Sequence, residues 1–225
     1  MPETINECVH EKFAFWVASQ PDAPAICGHD GEYTYAELDA VTSRLAHHLV
    51  TLGVGPEVFV ATCFDKSVFA VVAMLSVLKA GGAAVPLDAT HPKPALQTRL
   101  EDAGTQVVLT TAARFDKFDG LAPSVIIVDS VLLDRLPTVA GPACTSVLPS
   151  NPVFVIFTSG STGRPKGVVL DHSAIVTSAA AHGSKISLGR GSRMLQFASY
   201  TFDSERPRPI YALHLRHTLT SYTYI

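Results

Sequence analysis

The stretch Phe157-Thr158-Ser159-Gly160-Ser161-Thr162-Gly163-Arg164-Pro165-Lys166-Gly167 constrains the fold more than any other part of the chain. It lies between two apolar, β-branched runs, residues 153–157 and 168–170, so the pattern reads strand, loop, strand. Glycines at 160, 163 and 167 admit backbone angles that side-chain-bearing residues avoid. Consecutive backbone N–H groups in such a turn form a concave nest for an anion. The hydroxyls of Thr158, Ser159, Ser161 and Thr162 and the ammonium of Lys166 add donors and positive charge, the chemistry a polyphosphate needs. The Walker A pattern G-x-x-x-x-G-K-S/T does not fit. Arg164 and Pro165 separate Gly163 from the lysine, Gly167 follows it, and a strand succeeds the loop where a Walker helix would start. No G-x-G-x-x-G occurs here either, which removes the dinucleotide fingerprint. A flexible Ser/Gly surface turn is the bland alternative.

The rest of the chain supplies the frame for such a loop. Thr4-x-x-Glu7 reads as a capping box that starts a helix carrying Ile5, Val9, Phe13 and Trp16 on helical spacing. Residues 25–27 read as a strand and residues 28–31 as a turn. A second capping box, Thr34-x-x-Glu37, opens a helix with one apolar stripe of Leu38, Val41, Leu45, Leu49 and Leu52, with Gly53 at its C-cap. Strands follow at 58–64, 83–87, 107–110 and 125–128. The helix after the first is apolar nearly all round and is capped by Asp65 or Ser67. A short helix spans 93–102 and ends at Gly104. Residues 137–152, with four prolines, read as an extended surface connection into the loop. Asp171 or Ser173 starts an alanine-rich helix reaching about residue 181, and residues 194–197 form one more strand. Strand–helix alternation of this kind predicts an α/β fold with largely parallel sheets flanked by helices.

Composition excludes several function classes. Hydrophobic residues make up 47% of the 225 residues, enough for a real core, and the net charge of −3 gives no reason to expect nucleic acid as a partner. Cys8, Cys27, Cys63 and Cys144 are scattered without a C-x-x-C pair or a metal-like cluster, so they read as buried thiols in a reducing compartment and no metal site is expected. His47 and His48 likewise lack a partner cluster. No signal peptide precedes the first helix, and the longest apolar run, 68–78, is too short for a bilayer, so a cytoplasmic protein without a membrane is expected.

The string T-S-G-S-T-G-x-P-K-G resembles the phosphate-loop signature of the adenylate-forming superfamily, which includes nonribosomal peptide synthetase adenylation domains, acyl-CoA synthetases and luciferases. Residues 33–38, YTYAEL, resemble the first core motif of adenylation domains, and residues 78–88, LKAGGAAVPLD, resemble the second. The second departs at Ala84, where the family usually carries an aromatic ring; the smaller side chain implies less apolar burial. His172 matches a histidine that follows the loop's second strand, and the resemblance gives it a positional role near the loop. Phe202-Asp203-x-x resembles the fourth motif, FDxS. In amino-acid-activating members its aspartate holds the substrate's α-ammonium, so Asp203 favours that branch over acyl-CoA synthetases. By resemblance, Thr158, Ser159, Gly160, Ser161, Thr162, Gly163 and Lys166 hold the β- and γ-phosphates of ATP, with Mg2+ implied alongside. The implied activity is amino-acid adenylation for secondary-metabolite peptide synthesis, with an amino acid as substrate and a carrier protein as partner.

The resemblance covers residues 1–204, a partial N-terminal subdomain of the adenylate-forming fold. Those residues carry 14 basic and 19 acidic side chains. The text then changes to Glu205-Arg206-Pro207-Arg208-Pro209, and residues 206–225 hold three arginines, two histidines and no acid. Two prolines two apart exclude the expected helix start. Residues 205–225 are therefore set apart as a divergent basic tail and a candidate for disorder, attributed to a shifted frame, a retained intron or a truncated gene, with a partner-binding tail as the alternative. Motifs for the adenine and ribose, the Mg2+-binding acid and the catalytic lysine all fall downstream in the family. The expectation is a chain with no catalytic residue of its own, inactive alone, or else a remnant that complements a separately encoded remainder; another adenylate-forming ligase is the further alternative.

Overall fold

The computed structural model describes residues 3–158, 165–185, 193–196, 199–201 and 218–221. Helix α1 (Val9–Ser19) begins later than the Thr4-x-x-Glu7 pattern predicts. The reason lies in the competing partners. Glu11 reaches back to the Cys8 N–H at 3.0 Å, while the Ile5 N–H is taken by Thr177 Oγ1 at 2.9 Å, and residues 3–8 carry no regular secondary structure ahead of the later helix. Strands β1 (Pro24–Gly28) and β2 (Gly31–Thr34) form an antiparallel pair. Helix α2 (Tyr35–Thr51) follows the second capping box as expected, with the Glu37 N–H donating to Thr34 Oγ1 and the Thr34 N–H donating to Glu37 Oε2 at 2.8 Å. Leu38, Val41, Leu45 and Leu49 are buried, whereas Leu52 sits at the C-cap and is exposed.

Strand β3 (Phe59–Cys63) leads through a Ser67 cap into α3 (Val68–Lys79), whose buried residues lie on every face. Strand β4 (Ala83–Pro86), helix α4 (Lys93–Ala103), strand β5 (Val107–Thr110) and strand β6 (Ser124–Ile127) follow. Gly104 ends α4 in the left-handed region at φ +62°. Ala84 is wholly buried, level with Phe154 in the neighbouring strand. A 3-10 helix (Ala112–Lys117) and a short α5 (Ser130–Arg135), capped by Asp129, are elements the sequence reading does not contain. Strands β7 (Pro152–Thr158) and β8 (Lys166–Asp171), helix α6 (His172–Lys185), β9 (Arg193–Gln196) and β10 (Thr218–Ser221) complete the described chain.

Among the described residues two sheets form, a six-stranded one of order β6-β5-β3-β4-β7-β8 and a four-stranded one of order β2-β1-β10-β9. In the larger sheet every pairing is parallel except β7 with β8 at the edge. One face carries Val60, Ala84, Phe154 and Ile156 against α2, α3 and α6; the other carries Ala61, Val85, Val108 and Val155 against Leu96 and Leu100 of α4. Covering both faces is why these strands read as continuous apolar runs without alternation. Residues 218–221, inside the segment set apart as a tail, lie between β1 and β9 as a parallel strand. The remainder of 205–225 lies outside the described residues.

Candidate functional site

Parallel pairing puts the C-terminal ends of β3, β4, β5, β6 and β7 on one edge of the larger sheet. Helix α3 leaves β3 toward one face, and α4 leaves β4 toward the other. Adjacent strands whose helices diverge open a crevice at their carboxyl ends, where open α/β sheets bind ligands. A cavity of about 320 Å³ occupies that crevice, lined by Asp65, Lys66, Asp88, Thr90, Tyr200 and Thr201.

The predicted loop is held at this same edge. Thr158 ends β7 and pairs in register with Lys166, which starts β8, and the Thr158 hydroxyl donates to the Lys166 carbonyl at 3.4 Å. These two residues are therefore the two roots of the loop, and the exposed Lys166 stands at its C-terminal root. Gly167 is small for a packing reason: a Cβ there would meet Val155 Cγ1 at 3.1 Å. One residue before Thr158, the Phe157 ring centroid lies 5.9 Å from the Arg99 guanidinium. Ser159, Gly160, Ser161, Thr162 and Gly163 lie outside the described residues, as does Asp203. Ser199 and Thr201, four and two residues before Asp203, share a hydroxyl contact of 2.8 Å against the crevice. The structure thus brings Thr158, Lys166 and the chain leading to Asp203 to one edge of one sheet.

Carboxylates at the crevice already have partners. Burial alone would raise the Asp88 carboxyl, but the Thr90 hydroxyl and N–H, at 2.7 and 2.8 Å, hold it below the ordinary carboxylate range. Asp65 accepts from the Arg114 guanidinium at 3.1 Å. This edge can hold an anion beside the exposed Lys166, its carboxylates Asp65 and Asp88 being engaged by Arg114 and Thr90.

His172 has a different neighbourhood from the one the resemblance implies. It follows Asp171, which pairs with Pro152, so it lies at the end of β8 opposite to Lys166. Its Nδ1 accepts the Val9 N–H at 3.2 Å, joining the start of α6 to the first turn of α1. Burial, with the His10 ring adding to it, lowers this histidine to about 3. Its ring meets that of His10 edge-on, centroids 5.5 Å apart, and Cys8 completes a group whose donor atoms all lie within 4.8 Å of one another. Burial pushes the Cys8 thiol up to about 11, with Glu11 adding to the effect. Sequence reasoning finds no metal-like cluster because only Cys8-x-His10 is local; His172 joins it through the fold.

A family model described as "AMP-binding enzyme" matches residues 13–223. Nonribosomal peptide synthetase 4 of Gibberella zeae is 48% identical over 204 residues, covering 91% of this chain and 3% of that protein. N-benzoylphenylalaninol synthetase apmA of Penicillium brevicompactum is 48% identical over 204 residues, covering 91% of this chain and 8% of that protein. The chain spans between 1% and 9% of the length of the curated relatives it matches. Among solved structures, the nonribosomal peptide synthetase FmoA3 bound to AMPPNP superposes with a TM-score of 0.86 at 27% identity, over 97% of this chain and 23% of that one. The N-terminal domain of FACL13 from Mycobacterium tuberculosis gives a TM-score of 0.86 at 24% identity over 96% of this chain and 57% of that one, a likeness of fold. Among the described residues no helix is long and apolar enough to cross a membrane.

Proposed function

Because the chain belongs to the family of AMP-binding enzymes, we propose that it supplies the phosphate-loop portion of a domain that activates an amino acid with ATP as its aminoacyl-adenylate. The observation that carries this reading is the β7–β8 hairpin. It roots the hydroxyl- and glycine-rich loop at Thr158 and Lys166 on the carboxyl edge of a doubly covered parallel sheet. The AMPPNP-bound neighbour and the peptide synthetase relatives support ATP and an amino acid as the substrates, with a carrier protein as acceptor of the activated acyl group.

In this reading Thr158, Ser159, Gly160, Ser161, Thr162 and Gly163 cradle the β- and γ-phosphates with hydroxyls and backbone N–H groups, and Lys166 neutralises their charge. The substrate carboxylate attacks the α-phosphorus, an acyl–phosphate bond forms, and the bond to the β-phosphate breaks, releasing pyrophosphate. Negative charge on that leaving group grows as the bond breaks, so a fixed ammonium and fixed dipoles beside it lower the barrier without reorganising. Asp203 takes the α-ammonium. Mg2+ normally accompanies ATP in such reactions. Of the crevice carboxylates, Asp65 is engaged by Arg114 and Asp88 by Thr90, and neither is assigned to hold the ion. The counterparts of the family's adenine, ribose and catalytic-lysine motifs have no match among these 225 residues. The chain by itself is therefore proposed to hold polyphosphate without completing transfer.

The test is amino-acid-dependent ATP–pyrophosphate exchange by this chain joined to the downstream portion of a related adenylation domain. Exchange that needs an amino acid and collapses in Lys166→Ala supports the reading. Exchange that ignores the amino acid, or that survives Lys166→Ala unchanged, contradicts it.

A further inference from the structure

We infer that Cys8, His10 and His172 form a binding site for a zinc-class divalent metal ion, at the sheet edge remote from the phosphate loop. The donor set is one thiol and two imidazoles with all donor atoms within 4.8 Å of one another. Tetrahedral Zn2+ with bonds of roughly 2.0–2.3 Å needs its donors about 3.3–3.8 Å apart, so a closure of about 1 Å completes three positions. Mixed sulfur and imidazole donors suit zinc and cobalt, whereas calcium and magnesium prefer oxygen.

A second observation points to an occupant. His172 is fully buried, yet among the described residues its Nε2 has no hydrogen-bond partner, and the buried Nδ1 of His10 has none either. Buried polar atoms left unmet in a native fold call for an explanation, and an ion is one. Charge favours a cation here. The Glu11 carboxylate, held by the Cys8 N–H at 3.0 Å, adds negative potential, while Lys79 opposes it from across the neighbouring groove. Access is also provided. His10 and Glu11 line a cavity of about 920 Å³ between α1, α2 and residues 138–147, which can admit the ion and supply a water for the fourth position.

The protons balance as follows. Val9 donates to His172 Nδ1, so in the empty site the ring's proton sits on Nε2. Metal binding forms bonds to Cys8 Sγ, His10 Nδ1 and His172 Nε2. The Cys8 S–H bond breaks and its proton leaves to solvent, while the His172 proton moves from Nε2 to Nδ1. Val9 N–H then loses its acceptor and the first turn of α1 must shift. That step opposes binding and makes the Val9 amide a reporter of it.

The test uses the full 225-residue chain, stripped with a chelator and titrated with Co2+, then Zn2+. The expected result is a thiolate-to-cobalt charge-transfer band with tetrahedral visible bands, saturating at one equivalent and displaced by zinc. One proton is released per ion, and hydrogen exchange at Val9 speeds up. Cys8→Ser removes the charge-transfer band, and His10→Ala, at a partly exposed position, lowers affinity by about tenfold or more. Cys27→Ser leaves both unchanged, and far-UV circular dichroism checks that each variant is folded. Absence of the band at one equivalent in the wild-type chain, or a band that survives Cys8→Ser, overturns the proposal and leaves water as the occupant of the histidine pair.

Discussion

Replacing Lys79 with alanine removes the clamp between α2 and α3. The ammonium donates to Asp39 Oδ1 at 2.8 Å, the Asp39 carbonyl at 3.0 Å, Thr42 Oγ1 at 3.0 Å and Ser43 Oγ at 2.7 Å. The lysine side chain is 14% exposed and that of Asp39 is 36% exposed. Removing one partner of a fully buried ion pair costs about 3–5 kcal/mol, but water can re-solvate Asp39, so we expect about 2–3 kcal/mol for Lys79→Ala. Burial, offset only in part by Asp39, holds this ammonium below the usual lysine range. Charging the group is therefore less favourable in the folded chain than in the unfolded one, so packing of the side chain adds to what its charge contributes. The ammonium also lies 5.7 Å from the Phe13 ring centroid; Lys79→Met removes the same charge but keeps an unbranched apolar side chain, so it should lose less than Lys79→Ala, the difference being the packing share. Urea unfolding followed by circular dichroism gives the difference, read from the midpoint at constant slope. A loss below about 0.5 kcal/mol for Lys79→Ala, the range of an ordinary surface change, would mean that Lys79 does not clamp α2 to α3.

Other outcomes follow from local geometry. Gly81 has φ +90° and a Cβ there would lie 3.0 Å from Cys144 Sγ, so Gly81→Ala should lose about 1–3 kcal/mol in the same assay. At Gly82 a Cβ would sit 2.8 Å from Val54 Cγ1 and 3.0 Å from the Val58 carbonyl, and Gly82→Ala should also destabilise. Gly55→Ala, with nothing within 4 Å, should move the midpoint by less than about 0.5 kcal/mol. Hydrogen bonds from the Thr34 N–H and hydroxyl hold the Glu37 carboxyl below its ordinary value, so the unfolded chain binds more protons in that range. Its contribution is present above the ordinary carboxylate value and is lost as pH falls through the depressed one. Unfolding midpoints measured from pH 7 to 3 should fall on the acid side, and Glu37→Gln should flatten part of that limb.

Local signals carried much of the fold. The Thr34 and Glu37 box, the stripe of α2, the cap at Gly104 and the strands either side of the loop each depend on residues within a few positions of one another. Where a distant partner decided the outcome, the reading went astray. Helix α1 starts at Val9 and not after Thr4 because Glu11, and not Glu7, reaches back to cap it, while residues 3–8 are tied to the distant Thr177 through the Ile5 N–H. Helix α5 is too short for a periodic stripe and depends on the Asp129 cap. At the site, the glycine and hydroxyl pattern with Lys166 was legible, because a loop's chemistry is written contiguously. The crevice at the ends of β3 and β4 was not, since Asp65, Asp88 and Tyr200 meet only through strand order. His172 was read by position after the second strand, yet β8 carries it to the opposite end, where Val9 and His10 are its neighbours.

The loop between Thr158 and Lys166 is proposed to grip a polyphosphate. The most direct measurement is a binding titration of the 225-residue chain with ATP, inorganic pyrophosphate and AMP, read by phosphorus NMR. ATP and pyrophosphate should compete for one site, AMP should not displace them, and Lys166→Ala should weaken both by about tenfold or more. Displacement by AMP without competition from pyrophosphate, or affinities unmoved by Lys166→Ala, would contradict it.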